Sequence, residues 1–156
     1  MVELAALEAR IRVLEDIEDI KKLKARYWNC LDRKLWDELS KCFADDAVAS
    51  FGRHGKFEGR KAVMGFFSGS RSARGSDVGI HQGHNPEIDI TGDSTARGTW
   101  QLFRYSINKQ ANHGGRSAAF YYDEYIKEKG EWKILNLDYV HVFREEIDRT
   151  GISLLD

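Results

Sequence analysis

The fold class follows from two long stretches, VGIHQGHNPEIDI (Val78–Ile90) and TARGTWQLFRYSI (Thr95–Ile107), which flank the turn TGDS (Thr91–Ser94). Apolar and polar residues alternate along much of both stretches, and a glycine-containing turn between such stretches is typical of antiparallel strands. Two further stretches of this kind follow, joined at a Lys-Gly turn: SAAFYYDEYIKEK (Ser117–Lys129) and EWKILNLDYVHVFREE (Glu131–Glu146). The second half of the chain is therefore predicted to form long antiparallel strands.

The first third of the chain has a helical period instead. Leu4, Leu7, Ile11 and Leu14 recur at spacings of three and four, and the apolar stripe continues to Leu31. The first helix is predicted to end near Leu31–Lys34. A second helix follows, with Leu35, Trp36, Leu39, Cys42 and Phe43 at helical spacing. The remaining predicted elements, in chain order, are a strand at Ala47–Phe51, a turn at Gly52–Lys56, a short return strand at Phe57–Gly59 and a third helix at Arg60–Ser70. Helices followed by antiparallel strands predict an α+β fold: a curved, mixed, mainly antiparallel sheet that wraps around N-terminal helices to form a cone with an apolar pocket.

Length and composition set the class of protein. A chain of 156 residues is expected to form one domain, residues 1–156, in which residues 1–16 are a helical extension suited to contact a partner subunit. The formal net charge of -1 argues against nucleic-acid binding, and the basic loop at Arg71–Gly75 is too short to change that interpretation. No apolar run is long enough to span a membrane, and the N-terminus lacks a secretory core. Together with two isolated cysteines, Cys30 and Cys42, this predicts a cytoplasmic protein with reduced thiols.

His81 and His84 are the histidines that could take part in chemistry on the first long strand. Three residues apart on a regular strand, they point to opposite faces, so a shared metal site is not expected. Asn85-Pro86 follows, and proline in a strand is usually found at an edge or a bulge. A bulge there would reverse the alternation, so that His81, Ile88 and Ile90 all face inward. The spacing leaves a structural and a functional role for His81 equally open.

Tyr27 and Asp32 lie near the end of the first helix. Five residues apart, they differ by about 140° around an ideal helix, so they converge only if the helix frays at Asp32. Tyr27 could equally be a core aromatic residue, and Asp32 could cap the next helix. Among the other candidates, alternation places Trp100 and Arg104 on one strand face, and His141 interrupts an apolar strand, whereas His54 and His113 lie in polar turns and are expected to be solvated.

Four segments carry a resemblance to a known family. They are IKKLKARYWNCLDRKLWDEL (Ile20–Leu39), HQGHNPEIDI (His81–Ile90), AAFYYDEYIKEKGEWKIL (Ala118–Leu135) and YVHVF (Tyr139–Phe143). In these segments the chain resembles the SnoaL-like branch of the nuclear-transport-factor-like cone fold. The segments occur in the same order along the chain as in that family. Within that branch it is most similar to the scytalone dehydratase and bile-acid 7α-dehydratase group. The resemblance implies a homo-oligomer, a trimer in the first place and otherwise a dimer.

The resemblance also implies roles for individual residues. Asp32 would orient His81 as the acid–base residue, and Tyr27 would assist. The predicted substrate contacts are Trp100, Arg104, Tyr121 and His141. The chain departs from the bile-acid enzymes at two of these positions, since they carry an acidic residue near Arg104 and an arginine near His141. It also lacks the second active-site histidine of scytalone dehydratase.

The implied activity is a cofactor-independent lyase that binds a small apolar substrate. The preferred reaction is dehydration of a polycyclic or steroid-like alcohol beside a carbonyl, with neither a metal nor an organic cofactor. These residue types suit acid–base catalysis, because an aspartate that binds one imidazole nitrogen fixes the tautomer, and imidazole ordinarily titrates near pH 6.5.

Two alternative functions stay open. One is isomerisation or dehydrohalogenation by the same residues; the other is a non-catalytic ligand-binding or assembly subunit in which Asp32 and His81 form a packed structural pair.

Overall fold

The computed structural model describes residues 3–69 and 77–153. Its helices are α1 (Leu4–Arg33), α2 (Trp36–Ser40) and α3 (Arg60–Gly69), with a 3-10 turn at Gly52–His54. The predicted end of the first helix is confirmed, because Lys34 has a left-handed backbone (φ 57°) and its N–H bonds the carbonyls of Cys30 and Leu31. The basic loop at Arg71–Gly75 lies outside the described residues.

Within the described residues, six strands form one mixed sheet. They are β1 (Phe43–Ser50), β2 (Lys56–Glu58), β3 (Asp77–Gly92), β4 (Thr95–Asn108), β5 (His113–Glu128) and β6 (Glu131–Asp148), in the spatial order β2-β1-β6-β5-β4-β3. Every neighbouring pair is antiparallel except β1 and β6, which are parallel. This confirms the predicted α+β class with a curved, mainly antiparallel sheet.

The core lies between the concave face of the sheet and the C-terminal half of α1. Buried positions on α1 begin at Asp16, whereas Glu3 to Glu15 are exposed. Tyr27 is fully buried at the centre, where its ring meets others edge-on at centroid distances of 5.8 Å (Phe43), 6.1 Å (Phe67) and 6.1 Å (Tyr121). Such pairs are worth about 0.5–1.5 kcal/mol beyond the area that they bury.

Strand β3 contains a bulge at the position that Asn85-Pro86 indicated. The β3–β4 register shifts between His84 and Glu87, and Asn85 has a φ of 51°. The extra residue reverses the alternation, so His81 points inward before the bulge and Ile88 and Ile90 point inward after it. His84 is exposed.

The start of β1 differs from the prediction. The helical spacing of Leu39, Cys42 and Phe43 extended the second helix to Phe43, but α2 ends at Ser40. The backbone of Ile134 donates to the Cys42 carbonyl (2.8 Å), and Phe43 pairs with Ile134 and is fully buried. Pairing with β6 therefore overrides the local helical pattern at this point.

No helix among the described residues is long and apolar enough to cross a membrane.

Candidate active site

Asp32 and His81 form a two-point contact between α1 and β3. Asp32 Oδ1 lies 2.5 Å from His81 Nδ1, and Asp32 Oδ2 accepts the backbone N–H of His81 at 2.9 Å. Both side chains are largely but not fully buried, with 17% and 18% of their surfaces exposed. The predicted hydrogen bond is confirmed, and it leaves Nε2 as the imidazole nitrogen that is free to react.

Asp32 reaches β3 without any fraying of the helix. It lies in the last turn of α1, which continues to Arg33, and Trp28 lies one turn earlier on the same side. A Cβ at Gly83 would lie 1.9 Å from the Trp28 ring, so glycine is required where this indole packs on the strand. His81 lies two residues before Gly83 on β3 and faces Asp32. The fraying expected from helical spacing is therefore wrong, and so is the alternative that Asp32 caps α2, whose N-cap is Leu35 with no side-chain bond.

The position of Asp32 is electrostatically unusual. A carboxylate at a helix C-terminus faces the negative end of the helix dipole and is disfavoured there by a few tenths of a kcal/mol to about 1 kcal/mol. The two hydrogen bonds with His81 offset that cost. The interaction with His81 therefore explains why an acidic residue occupies this position.

His81 and Asp32 line an apolar cavity of about 240 Å³ inside the cone. Tyr27, Arg104 and Tyr121 also line it, so the structure brings together all three predicted catalytic residues and two predicted substrate contacts. The other walls are mainly apolar and aromatic: Leu31, Trp36, Phe51, Phe66, Phe67, Leu102 and Tyr139. A structural pair would be packed over, whereas here the imidazole borders open space.

Tyr27 and Tyr121 are two buried phenols at the wall of the cavity. Burial raises the pKa of Tyr27 well above its ordinary value of 10.0, and it also raises the pKa of Tyr121. Both are therefore protonated at neutral pH and available as donors. The Tyr27 hydroxyl interacts with Tyr121, but among residues 3–69 and 77–153 it makes no hydrogen bond of good geometry.

A buried ion pair between Lys24 and Asp123 packs against these phenols. Lys24 Nζ lies 2.6 Å from Asp123 Oδ2, both side chains are fully buried, and the ammonium lies 3.8 Å from the centroid of the Tyr121 ring. Burial lowers the pKa of Lys24 and raises that of Asp123, while each partner opposes the shift of the other. The Tyr125 hydroxyl also donates to Asp123 (2.7 Å). Helix α1 is thus joined to β5 directly beneath the cavity.

Two predicted substrate contacts lie elsewhere. Trp100 is buried outside the lining of the cavity, where its Nε1 donates to the Tyr125 hydroxyl (2.9 Å) and its ring packs edge-on against Trp28. Its predicted contact with substrate is corrected to a packing role, because the inward face of β4 is covered by α1 at this level. His141 is exposed and lines a neighbouring cavity of about 440 Å³ instead of the one beside His81.

Sequence reasoning missed two residues that border both cavities, Tyr139 and His54. His54 is exposed, as expected of a polar turn, but its ring lies 6.0 Å from that of Phe66 on α3. Nothing in the local sequence GRHGK indicates this, since the contact depends on how α3 packs against the turn. For Tyr139, alternation along β6 with Leu137 was an available signal.

Among the described residues, no group of three or more His, Cys, Asp or Glu side chains is arranged to hold a metal ion. Besides His81, the polar side chains that line the cavity are two carboxylates, three phenols, a second imidazole, an ammonium and a guanidinium, a set that suits proton transfer and hydrogen bonding.

Comparison with known proteins identifies the family. Residues 12–138 match the SnoaL-like domain. The chain belongs to the SnoaL-like domain family. The matched segment runs from Arg12 in α1 to Asp138 in β6. The SnoaL-like domain therefore contains both members of the Asp32–His81 dyad, the hydrogen-bonded pair at the cavity wall.

Solved structures share the fold of this SnoaL-like domain. A candidate scytalone dehydratase of Novosphingobium aromaticivorans has a TM-score of 0.79 and 20% identity, covering 85% of this chain and 87% of its own. The hexachlorocyclohexane dehydrochlorinase LinA-type3 of Novosphingobium barchaimii has a TM-score of 0.79 and 19% identity, covering 92% and 96%. An NTF2-like protein with a cystatin-like fold, also from Novosphingobium aromaticivorans, has a TM-score of 0.78 and 19% identity over 99% of both chains. At these identities the similarity establishes the fold.

Proposed function

We propose that this protein is a cofactor-independent lyase in which His81, oriented by Asp32, removes a proton from carbon. The observation that carries the proposal is the Asp32–His81 hydrogen bond at the wall of an apolar cavity. It engages Nδ1, so Nε2 would be the nitrogen that acts on a bound substrate. The preferred reaction is loss of water from an apolar cyclic alcohol whose hydroxyl is β to a carbonyl.

The proposed steps use only groups that line the cavity. Nε2 of neutral His81 takes the proton α to the carbonyl, the electron pair moves into the enolate, and the charge on Asp32 stabilises the imidazolium. Tyr27 and Tyr121 would donate hydrogen bonds to the enolate oxygen, and the burial that keeps both phenols protonated supports this role. The enolate then expels the β-hydroxyl, the imidazolium returns its proton to the departing oxygen, and water leaves. His81 is neutral again at the end.

Elimination of a halide is the second candidate reaction. The observation that favours it is the shared fold with a hexachlorocyclohexane dehydrochlorinase. The same dyad could remove the proton, and the halide would depart without needing an acid. Isomerisation would differ only in where the proton is returned. The non-catalytic alternative is less well supported, because His81 borders open space instead of being packed over.

A panel of paired substrates tests the proposal. Bicyclic and tricyclic β-hydroxyketones, the matching β-chloroketones and the parent ketones would be incubated with the protein in D2O. We expect unsaturated ketone from the hydroxyl series and deuterium at the α-carbon of the parent ketones, with both signals lost in His81→Ala. Faster turnover of the chloroketones would identify the dehydrohalogenase instead. Equal elimination and exchange by wild type and His81→Ala would overturn the proposed role of His81.

A further inference from the structure

A second cavity adjoins the one beside His81. The second cavity, of about 440 Å³, shares four lining residues with the first: Phe51, His54, Arg104 and Tyr139. Its remaining lining is Gly52, Arg53, Ser106, Gly115, Arg116, Ser117, His141 and Arg144. A ligand held at His81 therefore has space to extend along the inner face of the sheet, past Arg104.

The second cavity carries a concentrated positive charge. Four arginines and two histidines line it, and none of the described lining residues is acidic. The whole chain has a formal net charge of -1, so this concentration is local and does not reflect a generally basic protein. Arg116 is paired with Glu145, but Arg53, Arg104 and Arg144 have no ion-pair partner in the part of the chain that the structure describes.

Arg104 is the most constrained member of the cluster. It is partly buried, and its one hydrogen bond within the described residues is from Nη1 to Ser106 Oγ (3.0 Å). A guanidinium has five donors, so most of those of Arg104 remain available. Burial lowers the pKa of Arg104 and the nearby Arg144 adds to that effect, whereas Tyr139 and the more distant carboxylates of Asp32 and Asp77 oppose it. No carboxylate among the described residues lies within ion-pair distance of Arg104, so its burial is only partly offset, and an anionic ligand would complete the compensation.

The sheet register places these arginines in line with the proposed base. His81 pairs with Arg104, Arg104 with Ser117, and Ser117 with Arg144, so one row crosses β3, β4, β5 and β6. Neighbouring strands are about 4.8 Å apart, which puts the backbones of His81 and Arg144 roughly 14 Å apart along the row. Arg104 lies beside the reacting end, and Arg144 lies at the far end of the second cavity.

We infer that the second cavity binds an anionic group, a carboxylate or a phosphate ester, carried by the substrate on an arm about 10 Å from the carbon that loses its proton. This inference rests on the proposed function, since it describes the substrate of the same site. Planar guanidinium groups bind carboxylate and phosphate oxygens in pairs, which would fix the orientation of the substrate as well as its affinity. The apolar first cavity would hold the reacting rings.

Binding without turnover tests the inference. The probes are 2-naphthyloxyacetate, its neutral methyl ester and 2-naphthyl phosphate, titrated calorimetrically into wild type, Arg104→Gln, Arg144→Gln and Arg97→Gln. Arg97 is the matched control, because it is exposed on the same strand as Arg104 but on the opposite face of the sheet. We expect at least one anionic probe to bind about tenfold more tightly than the ester. The ratio of the affinity for the anionic probe to the affinity for the ester should fall several-fold in Arg144→Gln and stay unchanged in Arg97→Gln. In Arg104→Gln the preference for the anion should disappear.

The outcomes separate this inference from the proposed function. The tighter of the two anionic probes identifies the group as carboxylate or phosphate. Equal affinity for acid, phosphate and ester, absence of binding by all three, or an equal loss in Arg97→Gln would overturn the inference. His81→Ala should keep the preference for the anion. Retained anion preference together with failure of every elimination assay would reject the lyase and leave the anion site standing.

Discussion

At the scale of single residues, His81 and His84 have the same chemistry but opposite surroundings. His81 points into the cone and bonds Asp32, whereas His84 points to solvent from the outer face of β3. We expect His81→Ala to lower kcat/KM about 10²–10⁴-fold on any substrate that the panel identifies, because the imidazole that Asp32 orients at the cavity wall is removed. His84→Ala is the control and should change it less than about twofold. A loss confined to His84→Ala would reverse the assignment.

Substitution of Asp32 tests whether Asp32 and His81 act as one catalytic unit. Asp32→Asn retains the size of the side chain but loses the charge that stabilises the imidazolium, so kcat should fall by about 10²-fold or more. The double variant Asp32→Asn/His81→Ala should be little worse than His81→Ala alone, since members of a catalytic unit are not additive. Single-turnover rates of the four proteins close this cycle. Multiplicative effects of the two substitutions would mean that Asp32 acts independently of His81.

At the scale of elements, the Lys24–Asp123 pair joins α1 to the sheet. Removing one partner of a fully buried pair leaves the other charge uncompensated, so Lys24→Met should lower the free energy of unfolding by about 3–5 kcal/mol. The double variant Lys24→Met/Asp123→Asn should recover a large part of this loss, because no buried charge remains. Urea denaturation measures both. The exposed Lys22→Met on the same helix is the control and should change stability by less than about 0.5 kcal/mol. A single variant as stable as wild type would contradict the expectation.

Asp16 joins the middle of α1 to the β5–β6 hairpin and makes stability depend on pH. Burial raises its pKa, but hydrogen bonds from Lys127 (2.6 Å) and Trp132 (2.9 Å) outweigh burial, so the pKa lies below the ordinary 3.8. A carboxylate with a depressed folded-state pKa stabilises the fold above the unfolded-state pKa, and this contribution is lost as the pH falls through the folded-state value. Asp16→Asn should therefore cost about 1–3 kcal/mol at pH 7 and less at pH 3.

Denaturation at the two pH values measures this difference. Asp19→Asn is the matched control, since Asp19 is exposed on the same helix and its ion-pair partner among the described residues is the exposed Lys22. A cost of Asp16→Asn that is equal at pH 7 and pH 3 would show that the charge of Asp16 does not contribute.

At the scale of the whole molecule, exposed apolar surface remains on the N-terminal half of α1. Leu4, Ile11 and Leu14 are 72%, 54% and 65% exposed, and more apolar side chains are exposed on the sheet: Tyr122, Val140, Val142 and Phe143. Contiguous exposed apolar surface commonly marks an interface. We expect the chain to self-associate, as a trimer in the first place.

Light scattering at micromolar concentration measures the oligomer. Leu14→Glu should weaken it by placing a charge in the apolar stripe, whereas Arg12→Gln, on another face of the helix, should not. A dimer would reject the trimer but keep self-association, and a monomer would contradict both.

The sequence by itself determined the elements and their faces. Alternation along β3, together with the proline at position 86, indicated where a bulge could lie and that His81 would face inward if one formed there, and the structure has that bulge. Those patterns are local, because a side chain's face depends on the residues next to it. The family resemblance added the pairing of Asp32 with His81, which neither motif contains.

Only the tertiary structure decided which residues meet. The packing of Trp28 against Gly83 sets α1 on β3, so Asp32 reaches His81 from an intact helix turn. The same packing covers Trp100, and the register of four strands aligns His81 with Arg104 and Arg144. These contacts join positions far apart in the chain. Their geometry depends on the crossing of a helix over a sheet and on strand register, and neither is encoded in the spacing of residues along one element.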